Sequence, residues 1–243
     1  IADKHIVIIT TKYKYITNEG EMPVNFSSDL VPIIYKKDID SIAAGFLMKY
    51  FPEALEKPMP LPVEDIAELS MGLEIDYVSL GEDKDILGMM IFSDGEVQVY
   101  DREKGRYIRR HYRKGSLLVE SSTLEFRGRD RFTIAHEMIH WELHQLRFMA
   151  VNPGDRSAAR ACRCGAQTLM SPRTSEEWIE WQADSLAAAI LMPENMFRKK
   201  AHELGAMDRN AQESGLIDCL AECFGVSRKA AKIRMKNLGL YLL

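Results

Sequence analysis

Arg131-Phe132-Thr133-Ile134-Ala135-His136-Glu137-Met138-Ile139-His140-Trp141-Glu142-Leu143-His144 is the stretch on which the reading of this chain turns. Its apolar spacing predicts a helix over 128–147. Residues four apart on a helix lie one above the other, so His136 and His140 share a face. Two imidazoles in an H-E-x-x-H arrangement can bind one Zn2+, and Glu137 between them stands beside the water that the metal activates. Catalytic zinc takes three protein ligands and keeps one position open, so a third ligand is needed.

His144 is one candidate, but a helix face drifts by about 40° every four residues, which works against three imidazoles converging on one ion. His144 therefore reads as a supporting or substrate-side residue. The extended motif with a third histidine ten residues after the first fails, because Leu146 stands there and Leu143 replaces the glycine it requires. Glu180 is the better ligand. It opens Glu180-Trp181-Gln182-Ala183-Asp184 on a helix predicted over 174–192. That helix begins with a capping-box spacing at Thr174-Ser175-Glu176-Glu177 and stops at Pro193. Asp184 lies one turn beyond Glu180, where a carboxylate can hydrogen-bond a liganding imidazole. Glu177 and Asp184 are the competing oxygen ligands. Ala183, Ala187, Ala188 and Ala189 keep the helix surface thin.

Two motifs in a strand-then-helix order indicate an α+β fold. Strands are expected at Ile6–Ile9, Ile75–Ser79, Leu87–Phe92, Val97–Tyr100 and Ser116–Ser121. Ser93-Asp94-Gly95 reads as a hairpin turn between the third and fourth of these. Helices are expected over 38–54 and 63–71, and again over 194–204 and 216–238. Residues 102–131 hold ten Lys or Arg against four Asp or Glu, with Tyr107, His111 and Tyr112 interleaved. Such a segment can bind nucleic acid; the reading preferred here is a charged hairpin with its arginines solvated or ion-paired.

The bulk composition agrees with a globular chain. Of 243 residues, 46% are apolar and 28% charged, and the net charge of −4 argues against coating nucleic acid with the whole surface. No apolar run reaches the roughly 18 residues of a membrane span, and no signal-like cleavage region follows the first apolar run. The four cysteines, Cys162, Cys164, Cys219 and Cys223, are too few for a disulfide-stapled secreted chain and read as reduced thiols. The expected location is the cytoplasm, without membrane partners.

The two helices together, RFTIAHEMIHWELH and EWQADSLAAAILMP, resemble the ImmA/IrrE-type zinc metallopeptidases of bacteria and mobile elements. The resemblance extends over roughly residues 38–240 and includes PLPVEDIAELSMGLEI. It implies a minimal thermolysin-like fold: a β-rich segment at 1–37, a metallopeptidase domain at 38–200 and a helical segment at 201–243. It also implies one Zn2+ per chain on His136, His140 and Glu180 (a gluzincin-like set), with Glu137 catalytic. Ile139 and Asp184 depart from the residues many members carry, and 102–127 reads as an insertion. The expected activity is endopeptidase cleavage of a regulatory protein, a helix-turn-helix repressor of a phage or mobile element. Donors to the developing oxyanion are sought among His111, Tyr112, Arg131 and His144. A plug formed by residues 149–173 is a further option, with Cys162 as a masking fourth ligand.

The alternative function comes from LAECFGVSRKAAKIRMKNLGL (Leu220–Leu240), which has the helix, Gly225 turn, Ser227 cap and second helix of a helix-turn-helix. Arg228, Lys229, Lys232, Arg234 and Lys236 make that second helix basic. On this reading the chain is a zinc-containing regulator or anti-repressor that acts by binding protein or DNA without proteolysis. DNA is the less favoured partner, because a helical pair packed behind a catalytic domain has the same pattern.

Overall fold

The computed structural model describes residues 14–17, 20–126, 128–150, 159, 161–165, 172, 174–205 and 213–240. The strand expected at Ile6–Ile9 lies outside them. In chain order the first elements are β1 (Lys14–Thr17), β2 (Gly20–Pro23), α1 (Ile39–Tyr50) and α2 (Val63–Asp65), the last running into a π-helical turn, Ile66–Ser70. The strands β3 (Glu74–Val78), β4 (Ile86–Ile91), β5 (Gly95–Asp101), β6 (Arg106–Tyr112) and β7 (Ser116–Glu120) follow. Then come α3 (Arg129–Leu143), α4 (Gln145–Ala150), β8 (Ala161–Gly165), α5 (Ser175–Leu191), α6 (Glu194–Glu203), α7 (Glu213–Phe224) and α8 (Arg228–Asn237). The fold is α+β, with two compact units: Pro62–Asp184, and Ile1–Leu61 together with Ser185–Leu243.

In the unit Pro62–Asp184 a four-stranded sheet runs in the order β3-β7-β4-β8. β7 pairs parallel with β3 and antiparallel with β4, and β8 pairs antiparallel with β4. Leu117, Leu118 and Val119 are fully buried; a strand enclosed on both faces reads as an unbroken apolar run rather than an alternating one. The turn at Ser93-Asp94-Gly95 does not close a hairpin between β4 and β5, contrary to expectation. β4 is flanked by β7 and β8, and β5 pairs with β6 from Gly95↔Tyr112 to Asp101↔Arg106.

That β5–β6 hairpin carries much of the basic segment. Arg109 pairs with Glu96 at 3.2 Å and Lys104 with Asp101 at 3.0 Å, both in solvent. Arg102 has a structural place: its guanidinium donates to the fully buried Glu120 at 3.3 Å. Glu120 also accepts the Leu80 backbone N–H at 2.7 Å, that of Ser122 at 3.3 Å and the Ser121 hydroxyl at 3.5 Å, so the buried carboxylate is bonded to four donors.

α3 lies against β4 and β7. It starts at Gly128, whose φ of 76° is a left-handed conformation that glycine adopts without a steric penalty. Every residue from Thr133 to His140 is buried. Instead of one helix over 128–147, the chain breaks at His144 (φ −110°, ψ 4°) and restarts as α4. Thr174 and Glu177 cap α5 reciprocally, the Thr174 Oγ1 accepting the Glu177 N–H at 3.2 Å and Glu177 Oε2 accepting the Thr174 N–H at 3.1 Å.

In the other unit β1 and β2 form an antiparallel ribbon, and α1 buries Ile42, Phe46 and Leu47. Phe197 of α6 meets Phe224 of α7 with ring centroids 5.3 Å apart. α7 and α8 are joined through Gly225, and Ser227 Oγ caps α8 by accepting the Ala230 N–H at 3.2 Å. Arg234 does not face solvent with the other basic residues of α8. It is buried, donates to the Met192 carbonyl at 3.0 Å and is ion-paired with Asp40 of α1. No described helix is long and apolar enough to cross a membrane.

Candidate metal centre

His136 and His140 project from one face of α3 and meet Glu180 of α5. His136 Nε2 and His140 Nε2 are 2.9 Å apart. Glu180 Oε2 is 3.3 Å from the first and Glu180 Oε1 is 3.5 Å from the second. Donors bound tetrahedrally to zinc at ordinary Zn–N and Zn–O lengths stand about 3.3 Å from one another. The three separations fall around that value, so two imidazole nitrogens and one carboxylate oxygen fit a single zinc-sized ion. Among the described residues this is the group of His, Cys, Asp or Glu that could hold a metal.

The outer nitrogens of both rings are fixed. His136 Nδ1 donates to Asp184 Oδ1 at 2.9 Å. An Nδ1–H there leaves His136 Nε2 with its lone pair toward Glu180 and His140. His140 is fixed by a relay. Gln182 Oε1 accepts from His144 Nε2 at 3.0 Å, which leaves His144 Nδ1 as an acceptor. That nitrogen is 2.9 Å from His140 Nδ1 and takes its proton in a hydrogen bond. His140 Nε2 is thereby also a bare lone pair aimed at the metal position. The break at His144 and the carbonyl-side turn that follows bring its ring behind that of His140, with centroids 4.9 Å apart.

Electrostatics follow this arrangement. Burial opposes a charge on His136, but the hydrogen bonds to Asp184 and Glu180 and the charge of Glu137 outweigh it and push the pKa up to about 10. Burial, with His136 and His144 nearby, holds His140 well below the usual imidazole range. Burial takes His144 down to about 4 against the opposing pull of Gln182 and Glu180. In the metal-free pocket the positive charge therefore sits on His136, whose Nε2 proton a bound metal would displace, while the other two rings are neutral.

Residues 100–236 match the peptidase family described as the IrrE N-terminal-like domain, more than half of the chain. The chain belongs to that family. No curated protein matches it. The match includes all three donors of this IrrE N-terminal-like domain, together with Glu137, Asp184, His144 and Gln182. It begins at residue 100, later than the roughly 38–240 covered by the sequence resemblance.

Glu137 is fully buried on α3 next to the donors. Its carboxylate lies against the backbone of Gly88 on β4: a Cβ there would stand 2.9 Å from Glu137 Cδ and 2.8 Å from Thr133 Cγ2. Gly88 and Gln182 did not enter the sequence reading of the site, and Cys162 entered it as part of a plug rather than of a strand. An isolated glycine inside a strand pattern is a signal of close backbone approach, and Gly88 carries it. Nothing local marks Gln182 or β8.

The structure also places the other candidates. Asp184 and His144 touch His136 and His140 respectively. Tyr112 donates its hydroxyl to Asp76 at 3.2 Å, and His111 is exposed opposite Glu96 on the β5–β6 hairpin. Arg131 sits half-buried on the first turn of α3. Glu177 is committed to the cap of α5.

Proposed function

We propose that this domain is a zinc-dependent endopeptidase that hydrolyses a peptide bond in a regulatory protein, with a helix-turn-helix repressor as the substrate class. The observation that carries the reading is the convergence of His136, His140 and Glu180 beside a Glu137 buried on the same helix as the two histidines. Family membership supports a peptidase and the donor set supports the metal. Zinc held there supplies Lewis acidity toward a water and a peptide carbonyl. Glu137 accepts the proton of the attacking water at its carboxylate and delivers it to the leaving amine nitrogen. Asp184 and the Gln182–His144 relay keep both imidazole lone pairs pointed inward throughout. Thr133 and Gly88 fix where the Glu137 carboxylate stands.

The binding-only alternative loses part of its support in α8. Arg234 is a buried structural residue, and the exposed Arg228 is paired with Asp218 at 2.8 Å.

The test measures zinc per chain and cleavage of a panel of helix-turn-helix repressors by mass spectrometry, in wild type, Glu137→Gln and Glu180→Ala. One zinc is expected in the first two and a much weakened site in the third, with cleavage by wild type alone. Cleavage undiminished in Glu137→Gln, or a folded wild type that takes up no zinc, overturns the reading.

A further inference from the structure

Among the described residues β8 is the edge strand of the sheet and is held by β4, with Cys162 in register with Met90. This register turns the Cys162 side chain into the metal centre. The thiol is buried, 5% exposed. Its Sγ is 3.4 Å from Glu180 Oε1 and 3.8 Å from His140 Nε2. In a tetrahedral zinc site, a thiolate sulfur and a nitrogen or oxygen ligand stand about 3.6 Å apart, and the two distances bracket that value. Cys162 Sγ thus stands at ligand-to-ligand distance from two of the three donors.

We propose that Cys162 is the fourth protein ligand of the metal, and that the conformation described is a closed state of the peptidase. The inference rests on the reading of His136, His140 and Glu180 as a zinc site. As the sulfur–metal bond forms, the thiol proton passes to solvent, and the coordination shell becomes two nitrogens, one oxygen and one sulfur. Closed four-ligand shells of this kind are structural, whereas hydrolysis needs one position for water. Activity then requires Cys162 to leave; among the described residues β4 is the ladder partner of β8, so the β4–β8 pairing has to open.

The experiment loads the full chain with Co2+ and records its absorption spectrum beside metal content. Wild type is expected to bind one cobalt and to show a near-ultraviolet thiolate-to-cobalt charge-transfer band. Cys162→Ala and Cys162→Ser are expected to retain the cobalt and lose the band, while Cys164→Ala and Cys219→Ala keep both. Bound cobalt without the band in wild type, or a band that survives in both Cys162 variants, overturns the fourth ligand and leaves the three-donor site standing. A wild type that binds no cobalt and no zinc overturns both.

Discussion

Gly88 and Glu137 meet so closely that the strand residue can carry no side chain: a Cβ on Gly88 would overlap the Glu137 carboxylate and sit 2.8 Å from Thr133 Cγ2. Glycine on β4 is thus what allows a glutamate to be fully buried beside the donors. Gly88→Ala is expected to displace the Glu137 carboxylate and lower kcat by about a hundredfold. Zinc content should stay at the wild-type level, because the atoms that an added Cβ meets first belong to Glu137 and Thr133 and not to a donor. Unchanged kcat in a variant that still folds would remove Glu137 from the role assigned to it.

The relay from Gln182 through His144 makes a separate prediction. Gln182→Leu removes the acceptor for His144 Nε2, which sits 3.0 Å away. His144 then has no reason to present Nδ1 as an acceptor, and His140 loses its fixed tautomer. Losing such outer hydrogen bonds costs about 10- to 100-fold in metal affinity. Competition with a chromophoric chelator measures it. A zinc affinity equal to wild type would mean that His140 is oriented without His144.

Metal removal should be felt by the whole unit. A ligand that binds only the folded state adds about 4.1 kcal/mol at a thousandfold excess over Kd. For a chain of this length that is a shift of about 10 °C in Tm. Chelation should lower the Tm of wild type by that order and leave Glu180→Ala unmoved, as followed by scanning calorimetry with and without added zinc.

Away from the metal, Tyr112 supplies a pH-dependent contribution. Burial raises its pKa above the ordinary tyrosine value of 10.0, Asp76 raises it further, and Arg110 opposes them. A raised folded-state pKa means that the unfolded chain ionises first. The contribution is complete below pH 10 and is lost as pH rises through the folded-state pKa. Tyr112→Phe deletes the hydrogen bond to Asp76 and is expected to cost about 1 kcal/mol at neutral pH. The difference from wild type should shrink above pH 10 in urea melts; a constant difference would exclude the tyrosine as its source.

Arg234 distinguishes packing from recognition in α8. Removing its charged hydrogen bonds to Asp40 and the Met192 carbonyl should destabilise by about 2 kcal/mol. Arg234→Met is therefore expected to melt earlier, whereas Lys229→Met, at an exposed position of the same helix, is expected to melt like wild type. A basic contact to DNA would predict the reverse ranking in a salt-dependent binding titration, with no effect on Tm.

What the sequence made legible was local. The H-E-x-x-H spacing puts His136 and His140 together on any helix, the Thr174–Glu177 cap is written in four residues, and the step from Glu180 to Asp184 is one turn. What it hid depends on partners distant in the chain. Whether Ser93-Asp94-Gly95 closes a hairpin is decided by competition for the edges of β4, which β7 and β8 take. The break at His144 has no glycine or proline to announce it, and it follows from where the ring is bonded. β8 is five residues, Ala161–Gly165, with no apolar alternation to reveal it. The basic stripe of α8 was legible as composition, but the burial of Arg234 depends on Asp40, 194 positions away.

The contacts between α3 and α5 have one more implication. His136 reaches both Glu180 and Asp184, and His144 reaches Gln182, so three successive even-numbered residues of α5 are tied to imidazoles of α3. Ligand geometry at the centre is therefore a ruler laid between two helices, and an ångström of separation breaks several bonds in concert. Metal occupancy becomes a readout of how closely those helices are clamped. Any change in that spacing would be read as a change in metal affinity, which a fluorescent zinc indicator can follow in real time.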